Sequence, residues 1–347
     1  MGAERVAAVG FILSPILLEP SAVGPFSSHV RNSGIYDIGG RRRSPLVFSD
    51  CACGTAAGGE CEKRRLPLNA DILTTSVTDG IAVVRLGSAR RIYFDEEMGD
   101  ALTEALEGFA GDPDVRVVVV TGGASGYFIR HFSITSLLRL AESLRASGRE
   151  WPENATYNGG FFDKATALCE SMSKPVIAAI SGTCLAGGFE FALSCDLRIA
   201  EDGDYLIGLP EANLGLLPGA GGTQRLPRTI GTPAALMHIL MGDPVSPREA
   251  ARQGLVHETV SGKALDRAME IARRLSSHTP ESVACIKRLV RNATETPLSQ
   301  GLALERNLFL KLCISEPALA RMRSYEGANI TSPSRSIEVE TRSASRG

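Results

Sequence analysis

The chain has 347 residues, 44% of them hydrophobic and 22% charged, with a formal net charge of −2 at pH 7. That length exceeds the roughly 100–200 residues usual for one domain, so a large domain with appendages and a pair of domains are both open. With no dense Lys/Arg stretch in its middle, the chain lacks the basic face expected of a nucleic-acid binder.

Eight cysteines, at 51, 53, 61, 169, 184, 195, 285 and 313, are too scattered for a disulfide framework in a chain this long. Cys51, Cys53 and Cys61 cluster, but three thiols without a nearby fourth ligand are a weak argument for zinc. All eight read as free thiols in a reducing compartment, and no metal is expected.

In chain order, the apolar run at residues 6–18 comes first. It contains Gly10 and Pro15 and falls short of the roughly 18–20 residues of a membrane span. Arg5 ahead of it suits a signal peptide. Residues 19–68, with Arg41-Arg42-Arg43, Gly39-Gly40 and Gly58-Gly59, show no periodicity. Residues 1–68 are therefore read as a disordered extension or a misplaced start, in preference to a targeting segment.

Two β-branched runs, 72–77 and 81–86, flank Thr78-Asp79-Gly80 and predict a hairpin. Asp95 is placed to cap a helix whose Met98, Leu102, Leu106 and Phe109 share one face. Residues 115–121 and 175–180 are nearly continuous apolar strands, the pattern of a sheet covered on both faces. Helical stretches at 134–147 and 161–173 lie between them, joined by a Gly/Pro/Asn-rich connection at 148–160. Strands alternating with helices predict an α/β fold. Thr232-Pro233, Ser246-Pro247 and Thr279-Pro280 each read as a hydroxyl cap followed by proline at the first helical position. Ser246 and Glu249 have capping-box spacing, and Gly254 supplies a stop. The reading divides the chain into a core at 69–262, a helical region at 263–326 and a disordered tail at 327–347.

Chemistry concentrates in two segments. Gly187 and Gly188 precede an apolar helix, where free N–H groups favour negative charge and glycine admits a substrate oxygen. Glycine pairs also occur where a helix packs tightly on a strand. Glu190 stands in that apolar helix, where a carboxylate is costly unless paired, hydrated or working; the alternative is an outward polar face. Glu211 follows Pro210 in a loop and is weak evidence alone. Two carboxylates beside glycine-exposed amides are what addition of water to an activated double bond needs.

The run Gly182-Thr183-Cys184-Leu185-Ala186-Gly187-Gly188-Phe189-Glu190, followed by Cys195-Asp196-Leu197-Arg198, resembles the enoyl-CoA hydratase/isomerase (crotonase) superfamily. Gly208-Leu209-Pro210-Glu211, the Pro-Gly-Ala-Gly-Gly-Thr-Gln-Arg segment at 218–225 and Gly254-Leu255-Val256 extend the resemblance over about residues 72–325. It implies a crotonase-like spiral of ββα units with a C-terminal helical trimerisation region. It also implies an acyl-CoA substrate, a homotrimer or hexamer, and no cofactor beyond the coenzyme A of the substrate. In family hydratases two glutamates, matching Glu190 and Glu211, hold the water that adds to C3 while C2 is protonated; Glu190 is assigned as base and Glu211 as acid, with shared or reversed roles as the alternatives. The thioester oxygen would meet the N–H groups of Gly187 and Phe132, with Gly188, Pro210 and Gly219 beside the substrate.

Two stretches depart from the family pattern. Phe128-Ile129-Arg130-His131-Phe132-Ser133 puts His131 where the family has glycine, so either the loop takes another path or His131 adopts a left-handed conformation. Arg130 is a candidate for a polar acyl group, and His131 for proton movement, with a surface histidine as the blander reading. Arg90 and Arg91, in place of an Asn-Ala-Leu-type segment, are candidates for the CoA phosphates or plain exposed arginines. The expectation is an enoyl-CoA hydratase acting in the cytoplasm, or in an organellar matrix if residues 1–68 are a transit segment. The alternatives are an isomerase or other acyl-CoA enolate enzyme, and a binding scaffold without turnover.

Overall fold

The computed structural model describes residues 70–148 and 160–331. The expectations for residues 1–68, for most of the 148–160 connection and for the tail beyond 331 lie outside the described residues. The opening hairpin is β1 (Leu73–Thr78) and β2 (Ile81–Leu86), antiparallel with Thr78 opposite Ile81. Its two-residue turn places Asp79 at φ 53° and Gly80 at φ 73°. Both central residues have the positive φ that matches strand twist in a tight hairpin.

Helix α1 (Glu96–Gly111) is capped by the Asp95 side chain, which accepts from the Met98 N–H, and buries Met98, Leu102, Leu106 and Phe109. From β3 onward the chain climbs in repeated units. Strands β3 (Val117–Gly122), β5 (Val176–Ile180) and β7 (Leu197–Glu201) each enter one sheet, and the next strand of each unit enters another. Those second strands are β4 (Gly126–Ile129), β6 (Gly182–Leu185) and β8 (Ile207–Gly208), which form a parallel three-stranded sheet in the order β4-β6-β8. The larger sheet runs β1-β2-β3-β5-β7-β9, with β9 at Glu258–Val260 and every pair after the hairpin parallel. This is the spiral of strand–strand–helix units expected of an α/β crotonase-like chain.

The period-two alternation of strands divides the core into two layers. One face of the large sheet, through Ala82, Val84, Val118, Val120 and Ala178, packs toward α1, toward α3 (Phe161–Ser171) and toward Phe189 and Phe191 of α4 (Gly187–Ser194). The other face, through Val83, Val119, Ile177 and Ile199, is covered by Ala264, Ala268 and Ala272 of α8 (Ala264–Ser276). Both faces are buried, as the continuous apolar runs required. Because α8 completes this layer, the core continues past the 262/263 boundary read from the sequence.

Between β4 and α3 lies α2 (Ile134–Ala146), capped by Ser133. After Glu211–Leu214, a 3-10 turn, come α5 (Gly222–Ile230), α6 (Thr232–Met241) and α7 (Pro247–Arg252). Of the three expected hydroxyl caps only Ser246 caps, accepting from the Glu249 N–H. Gly231 occupies the cap position before α6, and the Thr279 hydroxyl makes no cap bond. The Glu249 carboxylate turns to Arg252 and Gln253 instead of closing a capping box, because a charged guanidinium is the stronger partner. Helices α9 (Pro280–Asn292), α10 (Leu298–Cys313) and α11 (Glu316–Thr331) finish the described chain. The last one runs past Gly327, where the sequence reading began a disordered tail.

The connection from β6 into α4 carries backbone strain. Ala186 sits at φ 49°, ψ −127°, a region favoured by glycine and costing another residue about 1–3 kcal/mol. Its carbonyl still accepts the Glu190 N–H at 2.9 Å and its N–H donates to Gly208 O at 2.9 Å. These bonds hold the turn that starts α4. Ala186→Gly is expected to relieve more strain than it adds unfolded-state entropy, raising the thermal midpoint by the equivalent of about 1 kcal/mol. A melting curve shifted downward would show that the alanine methyl is needed for packing.

Candidate active site

Helix α4 is buried throughout and almost entirely apolar, and Glu190 within it is 3% exposed. The outward-face alternative for this residue is therefore excluded. Its Oε1 accepts from the Ala220 N–H at 2.8 Å and from the Gly222 N–H at 2.8 Å. Gly222 opens α5, so its N–H has no helical partner and is free to hold an anion. Burial raises the Glu190 carboxyl pKa, opposed by those two N–H groups and by the nearby Arg225 charge.

Glu211, the first residue of the 3-10 turn, is also buried. Its Oε2 has no hydrogen-bond partner among the described residues. Burial first, and then the negative charge of Glu190, push its carboxyl pKa up to about 7. The two acids thus face each other electrostatically with unequal support. Glu190 has two donors and a cation, whereas Glu211 Oε2 has none, so a proton shared by the pair favours Glu211.

Gly187 lies one helical turn before Glu190 and on the same side of α4. A Cβ on Gly187 would lie 3.4 Å from Phe132 Cβ and 3.6 Å from Phe132 N, with Phe162 Cε2 also at 3.6 Å. The Phe132 segment is held by pairing with 92–94: Arg130 N–H donates to Ile92 O at 2.8 Å, Phe94 N–H to His131 O at 3.0 Å, and Ser133 N–H to Phe94 O at 2.8 Å. In such pairing the intervening residue turns its N–H away from the partner strand. The Phe132 N–H, like that of Gly187, accordingly has no acceptor among the described residues. Two free amides are therefore held side by side.

His131 does not take the left-handed conformation considered for it: among non-glycine described residues only Asp79 and Ala186 have positive φ. The extended path beside 92–94 makes glycine unnecessary there. The His131 ring donates from Nδ1 to Phe132 O at 2.6 Å and lies 4.7 Å, centroid to centroid, from Tyr93. Arg130 is exposed, sits 5.8 Å above the Tyr93 ring and donates to its hydroxyl at 3.3 Å.

The remaining candidates differ. Gly188 is fitted to β4, since a Cβ there would meet Ile129 O at 2.4 Å. Its missing side chain serves packing. Pro210 is half-buried at the start of the Glu211 turn, and Gly219 is exposed in the loop that delivers Ala220. Arg91 is held by Asp95 at 2.5 Å and Glu97 at 2.8 Å, which leaves Arg90, exposed, as the freer cation. The sequence reading missed the Ala220 and Gly222 amides, although a glycine opening a helix after Pro218-Gly219 was a signal for them. It also missed the strain at Ala186. Among the described residues no His/Cys/Asp/Glu cluster could hold a metal ion, the five cysteines are free, and no helix is long and apolar enough to cross a membrane.

Comparison with known proteins agrees with this architecture. The family model described as enoyl-CoA hydratase/isomerase matches residues 77–325. The chain is 36% identical over 217 residues to the 2,3-dehydroadipyl-CoA hydratase of Escherichia coli K12, covering 62% of this chain and 79% of that protein. It is 33% identical over 235 residues to the carnitinyl-CoA dehydratase of Salmonella enteritidis PT4, covering 67% and 84%. It is also similar to a crystal structure of enoyl-CoA hydratase from Bacillus anthracis, with TM-score 0.65, 26% identity and coverage of 74% and 96%. The chain belongs to the enoyl-CoA hydratase/isomerase family, the crotonase superfamily.

Proposed function

We propose that the protein hydrates a 2-enoyl-CoA thioester, or runs the reverse dehydration, at the site built by Glu190, Glu211, Phe132 and Gly187. The observation that carries this reading is the buried pair of unequally supported glutamates beside two free amides. Glu190, ionised by its two N–H donors, takes a proton from water as the water oxygen bonds to C3. Electrons of the C2=C3 bond move toward the thioester, and charge gathers on its oxygen as an enolate. The Phe132 and Gly187 N–H groups meet that oxygen, each contributing about 3–4 kcal/mol to lowering the barrier. Glu211, protonated below about pH 7, delivers its proton to C2. The acids end with exchanged protonation states and are reset through solvent.

Relatives named as a hydratase and a dehydratase support lyase chemistry over isomerisation. So do two buried carboxylates, where proton relocation within one chain needs only one. Coenzyme A enters as part of the substrate, with Arg90 the better placed of the two arginines for its phosphates and Arg130 for a polar acyl group. Exposed Leu236, Met237 and Leu240 on α6, with Phe309 and Leu310 on α10, support a homotrimer or hexamer that covers them.

Loss of the enoyl-thioester absorbance band with crotonyl-CoA and longer analogues is the direct assay. Glu190→Gln and Glu211→Gln are each expected to lower kcat about 10²–10⁴-fold. Equal turnover in wild type and both variants would reject the chemistry, and binding without band loss would favour a non-catalytic acyl-CoA binder. In the wild type kcat/KM is expected to fall as pH rises through about 7, where Glu211 loses its proton; a flat profile from pH 6 to 9 would remove it as the acid. The same shift predicts a stability difference. A carboxyl whose folded pKa is raised contributes stability below its unfolded pKa and loses it as pH rises through the folded value. Glu211→Gln should therefore gain about 1–2 kcal/mol on wild type at pH 8, discounted for partial solvation, and nothing at pH 4. Equal melting midpoints at both pH values would contradict the burial argument.

A further inference from the structure

The amides that hold Glu190 belong to a glycine-rich loop in which Pro218 is buried and Ala220 packs against the core, while its other residues are less anchored. Leu217 is 67% exposed, Gly219 is exposed, and Gly221 sits at φ 101°. A glycine-rich loop gives up much freedom on ordering, and Arg225 adds a contact that holds its backbone. Its Nη1 donates to Ala220 O at 2.9 Å, on the same residue whose N–H holds Glu190. The guanidinium lies so close beneath Gly221 that a Cβ there would come within 2.0 Å of Nη1.

Arg225 is itself held. Its Nε and Nη2 donate to the two oxygens of Glu170 on α3, at 2.7 and 3.0 Å. Glu170 also accepts from Arg291 of α9 at 3.4 Å. Arg291 donates to Ser194 O at 2.7 Å, at the far end of α4, and to Asp196 at 2.8 Å. The contacts close a ring: from Glu190 through Ala220, Arg225, Glu170 and Arg291 back to α4, the helix that carries Glu190.

We propose that Arg225 and Glu170 form a positioning pair that fixes the loop at 217–222 and keeps the Glu190 carboxylate oriented and ionised. The proposal rests on the reading of Glu190 as the base that takes the water proton. Two charged side chains act on Glu190: Arg225 from α5 and Asp163 from α3. Strands β4 and β6, also packed on α4, bring no charged side chain. Asp163 opposes the ionised form, as Glu211 does once it loses its proton, and Arg225 favours it. A bidentate guanidinium–carboxylate pair fixes angle as well as distance, which a lysine at 225 would not reproduce.

The test is an infrared difference titration of the full-length protein, with Glu190→Gln assigning the Glu190 carboxyl band, run beside turnover of crotonyl-CoA. In Arg225→Met the Glu190 midpoint is expected to rise by about one pH unit or more and kcat to fall about 10–100-fold, with KM little changed. Arg225→Lys should restore much of the midpoint but little of kcat. If Arg225→Met does not fold, the isosteric Glu170→Gln carries the positioning arm of the test: kcat is expected to fall by a smaller factor with KM little changed, and an unchanged kcat would overturn the proposal. An unmoved Glu190 midpoint in folded Arg225→Met would overturn the proposal, as would a kcat loss no larger than the loss of folded protein. A shifted midpoint in a protein that turns over no enoyl-CoA would uphold the pair and remove only the hydratase reading.

Discussion

A carboxylate sunk in an apolar helix is the constraint around which this molecule is arranged. Glu190 lies among Phe189, Phe191, Ala192 and Leu193, all buried. Removing such a charge from water costs several kcal/mol. Two charge-assisted N–H bonds from Ala220 and Gly222 contribute about 1.5–3 kcal/mol each, so the opposing effects are of similar size. Arg225 adds a favourable charge. That near balance leaves the carboxyl pKa raised, but opposed by three separate stabilising groups. Glu211, whose Oε2 has no donor among the described residues, is opposed only by its own backbone N–H and holds the proton up to about pH 7.

The amide pair depends on two further pieces of local structure. On one side, the strained Ala186 turn starts α4 and leaves the Gly187 N–H unpaired. On the other, the Ile92–Phe94 segment holds 130–133 extended, so the Phe132 N–H, close to Gly187, turns away from that segment. Neither device needs glycine at 131. A backbone path secured by pairing replaces one secured by positive φ, and two bulky rings, Phe132 and Phe162, border the site in consequence.

Much of this was legible from residues. The hairpin could be read because Asp79-Gly80 names its turn type, and the central strands because β-branched runs of that length have no helical period. Asp95 announced α1 by its cap and by an apolar stripe four residues apart. The small sheet was harder: β4 has four residues and β8 two, too few for a period to emerge. Thr232 looked like a cap, yet local sequence does not encode which residue the chain turns at, and Gly231 with φ 81° took the turn before α6; Thr279 holds the cap position before α9 without its hydroxyl bonding. Arg91 looked available for a ligand until Asp95 and Glu97 were brought to it. The two glutamates stood out through their setting in the sequence. Their separate supports, Ala220 and Gly222 for one and nothing for the Oε2 of the other, arise only when loop 217–222 folds onto α4.

The most direct test is a crystal structure of the protein bound to a saturated acyl-CoA such as butyryl-CoA. The thioester oxygen is expected about 2.7–3.1 Å from both the Phe132 and Gly187 nitrogens, with the Glu190 and Glu211 carboxyls flanking C2 and C3. A thioester oxygen facing solvent or a side chain, or acyl carbons remote from either glutamate, would contradict this arrangement.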